Sequence, residues 1–254
     1  MGKTNRQMII EVCVNSAISA LEAQKGGADR VELCENLHDG GITPSYGSIR
    51  FAREHLTIKL FVMIRPRGGD FLYSNDEFEI MKKDIQVAKE LGSDGVVFGI
   101  LNPDGTIDIK RMKILADLAR PMGITCHRAF DMTNDPFMAM EDLISLGIDR
   151  ILTSGQQKTA LEGASLIRSL IRIAGGLIII MPGSGVKEHN VDELIRITGA
   201  GEVHIHLEKQ VQSEMIFRHA GISMGKPDQS EYEHTITDWE RIYKVRNTEY
   251  EVRT

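Results

Sequence analysis

Short runs of β-branched and apolar residues alternate along the chain with longer stretches in which apolar positions recur every three or four residues. The short runs predict strands over Met8–Cys13, Arg30–Cys34, Lys59–Ile64, Gly95–Phe98, Ile124–His127, Arg150–Leu152, Leu177–Met181 and Val203–Leu207. The longer periodic stretches predict helices over Ala17–Lys25, Tyr46–Glu54, Asn75–Leu91, Ile109–Ala119, Pro136–Leu146, Leu161–Ile173 and Val191–Thr198. Strict alternation of strand and helix implies parallel β-α-β units. The punctuation repeats as well: "GGAD", "LGSD", "LGID" and "TGAGE" each fall just before a strand. A glycine there ends the helix at positive φ, and an acidic residue opens the next strand.

Two architectures share this alternation. An open doubly wound sheet normally carries a G-x-G-x-x-G turn after its first strand. Here that strand runs into Cys13-Val14-Asn15-Ser16, without glycine. The reading is therefore a closed (β/α)₈ barrel, and the 254 residues match the size that such a barrel needs. We expect one domain over 1–254, with a barrel core at about 8–207 and an extension over 208–254. The extension is polar, contains Gly221, Gly225 and Pro227, and regains helical period only at Trp239–Val245. It is expected to make a long excursion and then pack on the barrel or on a second subunit.

Composition narrows the function classes. Net charge is −6 with both signs interspersed, so neither nucleic acid nor an anionic membrane is an expected partner. The three cysteines, Cys13, Cys34 and Cys126, are odd in number and widely spaced, which suits a reducing cytoplasm and not a disulfide framework. Met1–Gln7 has no apolar signal core, Arg6 breaks a myristoylation pattern, and runs such as Gly176–Met181 are too short to span a bilayer.

Charged residues inside barrel strands must face the lumen or sit at strand tops, because the helix-facing side is apolar. Period two puts Glu11 and Cys13 on one face of the first strand, and Glu32 and Cys34 on one face of the second. Two convergent thiolates suit Cu(I); two buried thiols packing as small hydrophobes are the alternative. The glutamates need cationic partners, for which Arg65 is the candidate. Strand three ends in "VMIRPRGGDFLYS", where Arg65 and Arg67 can clamp an anion or make structural ion pairs. Strand five ends in "CHRAFD", with His127 and Asp131 as an acid/base pair or a histidine simply satisfied by a carbonyl. Ser154 after strand six and the Gly183–Gly185 turn after strand seven offer hydroxyl and amide donors where many barrels hold phosphate. His204 and His206 share a face of strand eight, expected to be the lumen.

The runs "RPRGGDF", "HRAFD" and "RILTSGQ", together with "EVCV", "GADRVELCENL", "GGITPSYG", "DGVVFGILNPDGTID", "IMPGSGV" and "FRHAGISMG", resemble the CutC family, named for copper homeostasis, over residues 8–238. The resemblance implies a (β/α)₈ barrel, a cytoplasmic homo-oligomer and Cu(I) at Cys13 and Cys34. It also implies a cleft lined by Glu11, Glu32, Arg65, His127, Asp131 and His204. His206 departs from the family, which commonly has a small hydroxyl residue there, and offers a further metal ligand.

Two functions therefore stand side by side. One is a copper homeostasis protein holding Cu(I) on Cys13 and Cys34, with Cys126 or a methionine nearby. The other is an enzyme acting on a small anionic or phosphorylated metabolite. In the second, Glu11 or Glu32 is the base, His127 and Asp131 assist, Arg65 and Arg67 clamp, and Ser154, Gly183, Gly185, His204 and His206 line the pocket.

Overall fold

The computed structural model describes residues 8–219, 221–222, 224 and 230–248. Met1–Gln7, Gly225, Pro227 and part of "FRHAGISMG" lie outside the described residues. Eight parallel strands follow one another with helices between: β1 (Ile9–Val14), α1 (Ala17–Lys25), β2 (Arg30–Leu33), α2 (Tyr46–His55), β3 (Lys59–Met63), α3 (Asn75–Glu90), β4 (Gly95–Phe98), α4 (Ile109–Ala119), β5 (Gly123–Cys126), α5 (Pro136–Ser145), β6 (Arg150–Thr153), α6 (Ala164–Ala174), β7 (Ile179–Pro182), α7 (Val191–Thr198) and β8 (Glu202–Ile205). The order around the sheet is β7-β6-β5-β4-β3-β2-β1-β8. β7 and β8 lie side by side without a hydrogen-bonded ladder, so the barrel is closed by packing along this seam. Gly183 just above β7 makes the fit close, since a Cβ there would come within 3.1 Å of the His204 Cβ.

The recurring acidic residue before a strand has a definite job. The Asp29, Asp94 and Asp149 carboxylates accept the Ile10, Leu60 and Ile124 amides at 2.8, 2.9 and 2.8 Å, and their own amides donate back to the same residues' carbonyls. Each thus pins the foot of its strand to the preceding one and is held in turn by an arginine: Arg246, Arg53 or Arg120. Helix starts are equally local. Ser16 and Ser45 cap α1 and α2, Asp135 with Pro136 opens α5, and Ser74 and Glu77 form a capping box on α3.

Apolar residues on the outer strand faces, such as Ile10, Val12, Val31, Val62, Val96 and Ile151, are fully buried against the helices. Cys126 belongs to this outer layer and not to the lumen. After β8 the chain forms an antiparallel hairpin, β9 (Glu208–Gln212) with β10 (Glu233–Thr237). Sequence periodicity gives no sign of it, because both strands are largely solvated. The hairpin is tied to the barrel by Asn15, whose Nδ2 donates to Thr235 Oγ1 at 3.1 Å, and by the Thr237 amide, which donates to Ser19 Oγ at 3.1 Å. α8 (Trp239–Arg246) then packs beside α1 and completes the ring of helices, burying Ile242 and Val245. Gly26 is required there: a Cβ would stand 2.7 Å from that of Ile242. No described helix is long and apolar enough to cross a membrane.

Candidate metal centre at the barrel mouth

The lumen is filled in layers by alternate residues of each strand. In the lower layer Arg30 donates to Glu11, to Glu202 at 2.7 Å and to the Met181 sulfur at 3.4 Å. Arg150 donates to the same Glu202 at 2.6 and 3.1 Å. Phe61 lies under both guanidinium groups, with ring centroids 5.0 and 5.7 Å away. Its ring occupies the space left by Gly95 and Gly123. The cation that neutralises Glu11 is therefore Arg30. Arg65, expected in that role, donates instead to three backbone carbonyls: Asp39 at 2.8 Å, Gly41 at 2.9 Å and Gly69 at 2.7 Å. Strand tilt explains the difference, because the register sets Glu11 opposite Arg30 and His204, and Cys13 opposite Glu32. Cys13 and Glu32 thus share one layer, and Glu11 lies below them with Arg30.

One layer higher, Cys13, Glu32 and His204 each present a donor atom within 4.8 Å of the others, all three residues buried. Cys34 Sγ stands 4.0 Å from Cys13 Sγ and 3.5 Å from Glu32 Oε2. Met63, Phe61 and Val97 pack against the thiols and keep water away. His204 is aimed by its far side: Nδ1 lies 2.7 Å from Glu11 Oε1, which leaves Nε2 turned toward Glu32, 3.9 Å away. An imidazole held by a carboxylate on one nitrogen and free on the other is the usual arrangement of a metal-ligating histidine. Glu32 Oε1 is buried without a hydrogen-bond partner.

The charges follow from these contacts. Burial would raise the Glu11 pKa, but Arg30 and His204 overcome it and lower it to about 2. The Cys34 hydrogen bond, helped by His204, holds the Cys13 thiol well below its ordinary pKa despite burial. The same contact and burial push Cys34 well above. Burial and then Cys13 push Glu32 up. Burial opposes charge on His204, yet Glu32, Cys13 and Glu11 raise it well above 6.5. The contacts thus favour negative charge on Cys13 and hold protons on Cys34, Glu32 and His204 more tightly than usual. A soft cation bound here would displace protons from Cys34 and His204, so its binding would be favoured as pH rises. The two sulfurs stand 4.0 Å apart, with His204 and Glu32 as further donor residues beside Cys13.

The remaining candidates lie around the same mouth. His206 is half-exposed; its Nδ1 is 3.1 Å from the Cys13 carbonyl and its Nε2 3.2 Å from Glu208. Arg67 is bound to Glu77 at 2.6 Å and Asp70 at 3.1 Å over the Tyr73 ring. Asp131, in the short 3₁₀ turn after β5, accepts the Ser154 and Gln156 amides, the Thr153 and Ser154 hydroxyls and Arg128. That network orders the loop after β6 and uses both carboxylate oxygens. Ser154 Oγ also contacts Arg128 and the Gln157 carbonyl. The Gly183 amide donates to the Thr153 carbonyl at 2.9 Å and α7 starts only at Val191, while the Gly185 carbonyl accepts from Asn190. His127 is buried; its Nδ1 accepts the Ala129 amide at 3.2 Å, while Nε2 has no partner. Sequence reasoning missed Arg30, Arg150, Glu202 and Tyr73. The first and third were within its reach, since period two puts Arg30 with Glu32 and Glu202 with His204.

The sequence profile of the CutC family matches residues 8–209. A "family protein CutC" of Parabacteroides distasonis is 50% identical over 236 residues, 92% of this chain and 97% of that protein. The "copper homeostasis protein cutC homolog" of Homo sapiens is 47% identical over 239 residues, 94% of this chain and 86% of that protein. A crystal structure of a CutC protein from Streptococcus agalactiae is 36% identical and superposes with a TM-score of 0.75, covering 78% of this chain and 97% of that one.

Proposed function

The chain belongs to the CutC family, and from that premise we propose that it serves copper homeostasis by holding Cu(I) between the thiols of Cys13 and Cys34. The observation that carries the reading is the 4.0 Å approach of the two sulfurs in the buried lumen, with the Cys13 thiol held well below its ordinary pKa by Cys34 and His204. Thiolates are soft donors and select Cu(I) over the harder ions that Glu32 alone would favour. His204 Nε2 is the third donor, oriented by Glu11, and Met63 lies in the same cluster. Cys126 takes no part, since burial pushes its thiol up to about 12 among outer-layer apolar residues. The copper-linked names of the relatives support this reading, and we propose with it a homo-oligomer in a reducing cytoplasm, where both thiols would stay available.

Competition of the reduced, metal-free protein against a Cu(I) chelator tests it. Wild type should withdraw copper from the chelator, and Cys13→Ser/Cys34→Ser should lose at least about 100-fold in affinity, two thiolate contacts' worth. If the double variant keeps the wild-type affinity, the reading fails.

A further inference from the structure

We propose that Arg65, Tyr73 and His127 form a binding site for a small carboxylate under the Phe71 ring, beside the thiols and independent of copper. The argument begins with an uncompensated charge. Arg65 is 4% exposed, yet among the described residues no carboxylate lies within ion-pair distance of it. Its three recorded bonds all go to backbone carbonyls, which orient the guanidinium without neutralising it. The other strongly buried arginines of the lumen, Arg30 and Arg150, are paired with glutamates. A guanidinium taken out of water without a counter-ion is costly unless an anion joins it.

Three buried donors near this charge also lack partners: Arg65 Nε, Tyr73 Oη and His127 Nε2. Tyr73 and His127 are each 3% exposed. Because His127 Nδ1 accepts the Ala129 amide, the proton of the neutral ring sits on Nε2, which is therefore a donor. Phe71 joins the group: the Arg65 guanidinium lies 5.1 Å and the His127 ring 4.9 Å from its centroid. Both other residues feel the Arg65 charge. It opposes the rise that burial imposes on Tyr73, and it adds to burial in lowering His127 to about 3. Gly99 is needed for this arrangement, since a Cβ there would stand 2.9 Å from His127 Nδ1.

Charge chooses the ligand. These side chains offer one fixed positive charge and two neutral donors, which balances a monoanion with two oxygens. A phosphate dianion would leave a net negative charge in a dry site. Half-buried Phe71, in the "GGDFLYS" loop, is the cover that must shift to admit the ligand. The link to the thiols is Gly41, whose carbonyl accepts Arg65 and where a Cβ would stand 3.3 Å from Cys34 Sγ.

The test uses the full-length, reduced, metal-free chain, with melting temperature and calorimetric titration followed in sodium acetate, glycolate and pyruvate. Sodium chloride and sodium phosphate at matched ionic strength are the controls. At least one carboxylate should bind saturably and raise the melting temperature, with chloride inert and phosphate weaker. Tyr73→Phe, which removes only a hydroxyl beside Arg65, should fold normally and bind about tenfold more weakly. Arg65→Met should abolish binding; because it also frees three carbonyls, Tyr73→Phe is the deciding variant if Arg65→Met does not fold. Cys13→Ser/Cys34→Ser should keep the carboxylate response, which separates this site from the copper reading. Absence of a saturable response, an equal response to chloride, a stronger one to phosphate, or full affinity in Tyr73→Phe would each overturn the proposal.

Discussion

In the lower lumen, Arg30 and Arg150 share Glu202, Arg30 also holds Glu11, and the Phe61 ring closes under both guanidinium groups. One turn of the pleat higher, the groups are as deeply buried but incompletely matched. Glu32 Oε1, Arg65 Nε, Tyr73 Oη and His127 Nε2 have no partners, and Cys13 faces a thiol and an imidazole across a gap of metal size. The lower layer behaves as part of the core, because each charge there is neutralised by another. The upper layer holds polar groups at a cost to stability that a structural role alone does not offset. In (β/α)₈ barrels the same polarity holds in general, with stability at the foot of the strands and chemistry at the top.

The sharpest way to break this contrast is to remove a charge from the lower layer. Arg30→Met keeps much of the volume but leaves Glu11 with His204 alone and weakens the hold on Glu202. It should cost about 3–5 kcal/mol in urea unfolding, the range for breaking a buried pair. A loss below about 1 kcal/mol would mean that the layer is not the structural element described.

The pH dependence of stability separates the layers next. His127 has a folded pKa of about 3 against an ordinary 6.5, so between those values the unfolded chain takes up a proton that the folded chain refuses. Its contribution to stability is complete above pH 6.5 and is lost as pH falls toward 3. Urea unfolding across that range should show a shallower acid decline in His127→Gln than in wild type; parallel curves would remove His127 as a cause. Smallest is the effect of Tyr73→Phe without ligand. Deleting an unpartnered buried hydroxyl should leave stability within about 0.5 kcal/mol of wild type, or slightly raise it. A loss well beyond that would show that Tyr73 belongs with the matched layer after all.

Much of the barrel is legible in the sequence because its signals are local. Period-two strands, capped amphipathic helices and a Gly-Asp rhythm at the strand feet each act over a few residues, and the predicted elements match the observed ones closely. The hairpin of β9 and β10 escapes this reading because its strands are largely solvated and leave no apolar alternation. Face assignment by parity also succeeds: Glu11, Cys13, Glu32, Cys34 and His204 all point into the lumen.

Parity says which way a side chain points but nothing of its height against the next strand. The tilt that closes a barrel offsets that height by whole layers, so partnership is decided only when all eight strands are in register. Hence Arg30, nineteen residues from Glu11, neutralises it where Arg65 was expected, and His204, separated from it by 193 residues, comes to stand over Cys13. Composition and periodicity fixed the architecture and the inward-facing residues, since those depend on near neighbours in the chain. Which charges cancel, which donors stay unmatched, and whether two thiols meet depend on contacts across the lumen, and these only the tertiary structure decided.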